Sequence, residues 1–228
     1  MLHAKFQKLT AMTFSEENYL KTIYHLTTFL KTEISTNAIA EKMETKASSV
    51  TDMLKKLAEK DLVHYKKYQG VSLTNNGRLA AKMIVRKHRL WEVFLVEKLD
   101  FSWDEVHDIA EQLEHIKSEK LINKLDTFLG NPTEDPHGDP IPDAEGNIIK
   151  VEKQLLSEIG TAKKTICVGV KDTSAEFLQY LDKQKIALGS TIEILSKEDF
   201  DASLLLKVNN QELVVSSKIA ANLYVQII

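Results

Sequence analysis

The stretch Thr36–Thr74, TNAIAEKMETKASSVTDMLKKLAEKDLVHYKKYQGVSLT, decides the fold. Ile39, Ala40 and Met43 place a short helix at about 36–43. Val50, Met53, Leu54 and Leu57 recur at three and four residues and predict a second at about 47–60. The polar turn Glu44–Thr45–Lys46 separates them. Leu62–Tyr65 and Val71–Leu73, joined by the polar tip 66–70, read as a two-stranded hairpin. Helix, tight turn, helix and hairpin make the winged helix-turn-helix plan, whose second helix points its N-terminal end at base edges. That end carries Lys46, Ala47, Ser48, Ser49, Thr51 and Asp52. The hydroxyls suit bases or phosphates, Ala47 a thymine methyl, and Asp52 a cytosine amine. Lys55 and Lys56, one turn on, suit phosphates. Tyr65, Lys66, Lys67 and Tyr68 give the wing a basic, aromatic tip.

Upstream, residues 14–31 predict a helix with Ser15 as N-cap, Glu16 and Glu17 in its first turn, and Tyr19, Leu20, Ile23, Leu26 and Leu30 on one face. Downstream, Thr74–Gly77 opens a long helix at about 76–98. Helices follow at about 103–116 and 117–129, then a loop rich in Gly and Pro over 130–147. After Gly160 the pattern changes to short β-branched runs at 165–170, 191–196, 204–208, 211–215 and 223–228, with one helix at about 173–184. This predicts a small barrel. The fold class is multi-domain and mainly α: a winged helix-turn-helix over 1–75, a helical domain over 76–150 and a small β-barrel over 160–228.

The chain has 228 residues, 43% hydrophobic and 28% charged, which excludes wholesale disorder. No apolar run approaches the roughly 18 residues of a membrane span. The N-terminus does not resemble a secretory signal, so a cytoplasmic protein is expected. The single Cys167 rules out an internal disulfide and a CxxC zinc site. The net charge is only −3, but it is unevenly spread. Residues 41–90 hold 12 Lys/Arg against 5 Asp/Glu, and residues 91–160 hold 6 against 17. A polyanion partner for the first block and a cation for the second are implied; two solvated surfaces are the bland alternative.

The acidic block contains hard metal donors. His88 and Glu92 stand four apart on one helix. His107, Glu111, Glu114 and His115 on the next helix fall within an arc of about 100°. Six nitrogen and oxygen donors without Cys or Met favour Mn(II) or Fe(II) over softer ions. A solvated acidic face is the competing reading. A dinuclear metalloenzyme would need Glu-x-x-His on two helices, whereas the sequence offers Glu111-Gln112-Leu113-Glu114. It also lacks a P-loop and a GxSxG motif. A third option is an adaptor that binds a peptide through the barrel.

Several motifs together resemble the DtxR/MntR family of metal-dependent transcriptional repressors. Arg86-Lys87-His88-Arg89-Leu90 resembles its RKHRL signature. Val106-His107-Asp108 with Leu113-Glu114-His115-Ile116-Lys117-Ser118 resembles its second ligand helix. Asp135-Pro136-His137-Gly138-Asp139-Pro140-Ile141-Pro142 resembles its CPHGNPIP loop, with Asp135 where Cys is common. Tyr19–Tyr24 resembles its opening helix. The resemblance implies an ancillary metal site at His88, Glu92 and His107, and a primary, activating site at Glu111, Glu114 and His115. Asn18 falls where iron sensors carry Met and manganese sensors Asp, with Glu17 as a substitute. Lys21 falls where some manganese sensors carry a second acidic ligand. The third domain would be an SH3-like, FeoA-like barrel, with Glu176 near a position that lends a ligand in some members. A homodimer that reads palindromic operator DNA is implied, and Trp103, Val106, Ile109, Ala110 and Leu113 offer either an interface or a monomer core.

Overall fold

The computed structural model describes residues 12–30, 33–67, 69–149 and 151–228. The predicted helix end at Lys31 and the wing residue Tyr68 lie outside these. The chain forms two compact units, each assembled from separated stretches. One contains the residues up to His88 with Glu111–Leu125 and Pro142–Asn147; the other contains Arg89–Ala110, Asp126–Ile141 and Ile148–Ile228.

In the first unit, helix α1 spans Phe14–Leu30. Its cap is Thr13, not Ser15. Thr13 Oγ1 accepts from the Glu16 amide at 3.3 Å, and Glu16 Oε2 accepts from the Thr13 amide at 2.9 Å. This reciprocal pair satisfies two amides at once, which a cap at Ser15 would not do. Glu16 also meets Lys60 at 2.7 Å, and that bond helps hold its carboxyl below the usual range although burial works the other way.

Helices α2 (Thr36–Lys42) and α3 (Ala47–Glu59) follow. The turn between them is a Schellman closure. The amide of Thr45 bonds Ala40 O at 2.9 Å, that of Glu44 bonds Glu41 O at 3.2 Å, and Glu44 takes φ +50°. Strands β1 (Val63–Lys66) and β2 (Gly70–Leu73) pair antiparallel, with Val63 opposite Leu73. Leu20 and Ile23 of α1, Ile39 of α2, Val50, Leu54 and Leu57 of α3 and Val71 of β2 share one buried cluster.

Helix α4, Asn75–Leu99, begins in the first unit and ends in the second. Thr74 welds its start to the hairpin. The Thr74 hydroxyl donates to Asp61 O at 2.8 Å and accepts from the Gly77 amide at 2.9 Å. Helix α5 is shorter than its apolar pattern predicts, spanning Val106–Leu113. The amide of Ile116 reaches back three residues to Leu113 O, which tightens and ends the helix. Glu114 and His115 therefore sit in a turn. Helix α6, Glu119–Phe128, restarts at Ser118.

In the second unit, Val106 and Ala110 are fully buried within the monomer. Of the interface candidates, these two serve a monomer core. Strands β3 (Gln154–Leu155), β4 (Lys164–Val170), β5 (Thr191–Lys197), β6 (Leu204–Val208), β7 (Gln211–Val215) and β8 (Leu223–Ile227) form one antiparallel sheet in the order β3-β8-β4-β5-β6-β7. Helix α7, Ala175–Lys183, buries Phe177, Leu178 and Leu181. The two-residue β3 and the four-residue helix α8 (Ser217–Ala220) were not expected from the sequence.

A Cβ on Gly77 would lie 1.8 Å from Leu62 O, a backbone atom that cannot swing aside. Gly77→Ala is expected to cost about 1–3 kcal/mol as overpacking. At roughly 2–4 °C per kcal/mol for a chain of this size, the melting temperature by circular dichroism drops measurably. An unchanged melt would rule out the close approach.

Candidate metal centre and nucleic-acid interface

The predicted reading end is presented as expected in part. Lys46 is the N-cap of α3 in extended conformation and makes no side-chain cap bond. Lys46, Ala47, Ser48, Ser49, Asp52, Lys55, Lys66 and Lys67 are exposed, while Val50, Leu54 and Leu57 face inward. Thr51 is half-buried and donates its hydroxyl to Ala47 O at 3.0 Å, so it is an acceptor at most toward a base. Asp52 and Lys55 pair at 3.1 Å. Both are exposed, so the pair is weak and easily exchanged for a phosphate.

Taken unit by unit, metal donors among the described residues come together once in each. In the first, α1 supplies Glu17, Asn18 and Lys21, α4 supplies His88, and the end of α5 with its following turn supplies Glu111, Glu114 and His115. Glu114 is completely buried. Its Oε2 meets Lys21 Nζ at 2.7 Å and His88 Nδ1 at 2.7 Å. Burial acts to raise its pKa, but the His88 bond and the Lys21 charge outweigh that and hold the carboxyl below its usual range. Lys21 also pairs with Glu111. His88, Glu111 and Glu114 each bring a ligand atom within 4.8 Å of the others. His115 Nδ1 lies 2.6 Å from Glu17 Oε2, and its ring stacks on Phe14 at 4.5 Å. A carboxylate accepts only, so Nδ1 carries the proton and Nε2 keeps a lone pair for a metal.

Among the described residues of this unit, the side-chain atoms Glu114 Oε1 and Asn18 Oδ1 are buried with no hydrogen-bond partner. Burying an acceptor unpaired costs about 1–3 kcal/mol, more when it is charged. A hard divalent cation would satisfy acceptors of this kind, and the oxygen-and-imidazole donor set suits it. The residues present therefore fit a metal.

The second group is Glu92, Asp135 and His137, all buried, with ligand atoms within 4.8 Å of one another. His137 Nε2 lies 2.8 Å from Trp103 O, so it donates there and leaves the Nδ1 lone pair, 3.9 Å from Glu92 Oε2, for a cation. Asp135 Oδ1 accepts from the amides of His137 and Asp139 at 2.9 and 3.0 Å, and Arg89 Nε stands 3.3 Å from Oδ2. Burial, then the neighbouring Glu92 charge, pushes the Asp135 carboxyl up to about 7. His107 Nδ1 lies 3.7 Å from Glu92 Oε1, but its side chain is 57% exposed. His88, the third residue expected at this site, is assigned to the first unit, and its Nδ1 lies 2.7 Å from Glu114 Oε2. Glu176 is exposed and joins neither group among the described residues. Asp135 and His137 lie in the Asp135–Pro142 motif, which by itself does not mark them as ligands. The Asp-x-His spacing beside an already suspected Glu92 was the available signal.

The second group predicts a pH signature. The folded pKa of Asp135 is above its ordinary value, so folding favours the protonated form. The metal-free protein loses stability as pH rises from about 4 through about 7. Asp135→Asn is therefore expected to raise the metal-free melting temperature at pH 8 and to have less effect at pH 5. Differential scanning calorimetry in chelator at both pH values checks the sign, and an equal effect at both would refute it.

Comparison with known proteins places the chain. Three family models match: the iron-dependent repressor N-terminal DNA-binding domain over residues 11–71, the iron-dependent repressor metal-binding and dimerisation domain over 74–143, and the FeoA domain over 154–227. A solved manganese-dependent transcriptional repressor in complex with manganese is 33% identical with a TM-score of 0.83, over 93% of this chain and 100% of that one. ScaR with bound Zn2+ is 36% identical with a TM-score of 0.74, over 93% and 99%. The iron-dependent repressor IdeR of Mycobacterium leprae is 36% identical over 126 residues, 55% of this chain and 54% of IdeR, so the chain matches about half the length of that curated relative. The diphtheria toxin repressor of Corynebacterium diphtheriae is 26% identical over 221 residues, 92% and 96% of the two chains. The chain thus belongs to the family of iron- and manganese-dependent transcriptional repressors.

Proposed function

We propose that this chain is a metal-activated repressor in which Mn(II) or Fe(II) raises the affinity of a homodimer for palindromic operator DNA in the cytoplasm. The observation that carries this reading is the half-satisfied carboxylate of Glu114, buried in the same unit as the exposed reading end of α3. Asn18, Glu111, Glu114 and His115, with Glu17, would hold the ion. When bound, it supplies two positive charges to a carboxylate-rich pocket.

The chain's own residues give the coupling a physical path. One side of α1 carries Glu17, Asn18 and Lys21, and the other carries Leu20 and Ile23 in the core shared with Val50, Leu54 and Leu57 of α3. Whatever fixes α1 against the turn at Glu114 also fixes the reading helix. Ligation switches DNA binding only to the extent that it favours the DNA-competent arrangement. Glu92, Asp135 and His137, with His107, form a second metal locus in this reading.

The three matched segments support a division into a DNA-binding domain at 1–75, a metal and dimerisation domain at 76–150 and an SH3-like domain at 160–228. Dimerisation sets two reading helices about one DNA turn apart, roughly 34–36 Å. Exposed Leu99 and Phe128 of the dimerisation segment are apolar surface for that contact. No described helix is long and apolar enough to cross a membrane. The enzyme reading has no support in a repressor family.

Gel-shift titration on promoter DNA at fixed salt tests the proposal. Mn(II) or Fe(II) is expected to tighten binding about 5–150-fold over chelator, the usual range of such coupling. Glu114→Ala is expected to abolish the metal response. Lys67→Ala is expected to weaken binding to all sequences and to reduce the salt slope by about one. Equal affinity with and without metal would overturn the switch.

A further inference from the structure

A cavity of about 380 Å³ opens within the first unit. Its volume falls in the range of small-molecule sites. Helix α4 lines it with Leu79, Met83 and Lys87, which follow one another at four-residue spacing and so share a side of the helix. Ala80 and Ile84, also lining it, are fully or almost fully buried. Ile116 and Lys117, from the turn before α6, and Ile122 of α6 complete the part used here. The cavity is therefore apolar along its helices and charged elsewhere.

Six charged residues line it, three cations and three anions. Arg86 donates to Pro142 O at 2.9 Å, and Glu17 Oε2 lies 2.6 Å from His115 Nδ1. Glu119 and Glu145 are exposed. Lys117 Nζ donates to Met12 O at 2.7 Å. Lys87 stands apart from these. Its side chain is 15% exposed, and its Nζ is 3.9 Å from Glu17 Oε2, beyond hydrogen-bond length. Burial lowers its pKa; Glu17 and Glu114 favour its charge, whereas Lys117 and Lys21 oppose it. An ammonium desolvated in this way gains most from an anion that reaches it directly.

We propose that this cavity binds a medium-chain monocarboxylate, with the carboxylate at Lys87 and Lys117 and the aliphatic chain along Leu79, Met83, Ile116 and Ile122. Charge and length set that choice. A second negative charge on the ligand would stand against Glu17, so a monoanion fits better than a dianion. From Leu79 to Lys87 the helix rises about 12 Å, which a chain of roughly eight carbons spans. The apolar walls reward the chain, at about three- to fourfold in affinity for each buried methylene.

Isothermal titration calorimetry of the full chain with octanoate tests this. Chelator is present throughout, which keeps the result independent of any metal. Wild type is expected to bind one octanoate per protomer, hexanoate about tenfold more weakly, and octanol at least about tenfold more weakly for want of a charge-assisted bond. Lys87→Met is expected to lose the preference for octanoate over octanol. Met83→Trp, which fills the cavity, is expected to bind neither. Circular dichroism confirms that each variant is folded. No saturable octanoate binding to wild type by about 10 mM, well above the millimolar affinity expected of so small a ligand, overturns the proposal without any variant. That result covers a cavity occupied by a second copy of the chain. Equal affinity for octanoate and octanol in wild type also overturns it, as does a folded Met83→Trp or Lys87→Met protein that binds octanoate like wild type.

Discussion

One buried carboxylate organises the first unit. Glu114 has no exposure, yet it keeps its charge because His88 of α4 and Lys21 of α1 converge on Oε2. Without these partners the carboxylate would be a desolvated, uncompensated anion, which is strongly unfavourable. The convergence dictates where α1 and the turn after α5 stand, since each contributes a charged group to a contact of about hydrogen-bond length. It also leaves Oε1 unsatisfied, and a structure built only for rigidity has no use for that. The same interaction therefore accounts for both the assembly of the unit and the acceptor it leaves open.

The second group solves the opposite problem. Arg89 is the nearest cation to Asp135, and burial beside Glu92 still lifts the carboxyl to about 7. The first group is anionic with a resident ammonium; the second approaches neutrality by taking up a proton. Trp103 contributes twice here, accepting from His137 Nε2 through its carbonyl and stacking its ring on the imidazole at 6.2 Å. Close packing of Gly138 against Val168 O and Gly169 of β4 fixes the loop that carries these donors. The loop thereby ties the second donor group to the sheet within one unit.

The winged helix-turn-helix was legible because its signals are local. Val50, Leu54 and Leu57 declare a helix by period alone, and all three are buried. The end of α5 was not legible. Ile109, Leu113 and Ile116 keep helical spacing beyond the point where the Ile116 amide shifts to a three-residue bond. Regular helical angles therefore misplace Glu114 and His115, which sit in the turn beyond Leu113. The grouping of Glu92 with Asp135 and His137 joins a helix to a loop 43 residues on, and no periodicity relates them. The cap at Thr13 was missed for a different reason. Both Thr13 and Ser15 are competent cap residues, and only the reply from Glu16 decides between them.

The discontinuity of the first unit bears on how the protein is born. The core of the DNA reader is complete once Ile84 has been made, yet Glu114 and His115 come some 30 residues later. At translation speeds of about 5–20 residues per second, the nascent chain passes roughly 2–6 s with a finished reader and an unfinished sensor. During that interval Glu17, Asn18 and Lys21 of α1 lack the partners that later enclose them. The residues of the proposed metal site thus follow those of the reader's core in the order of synthesis.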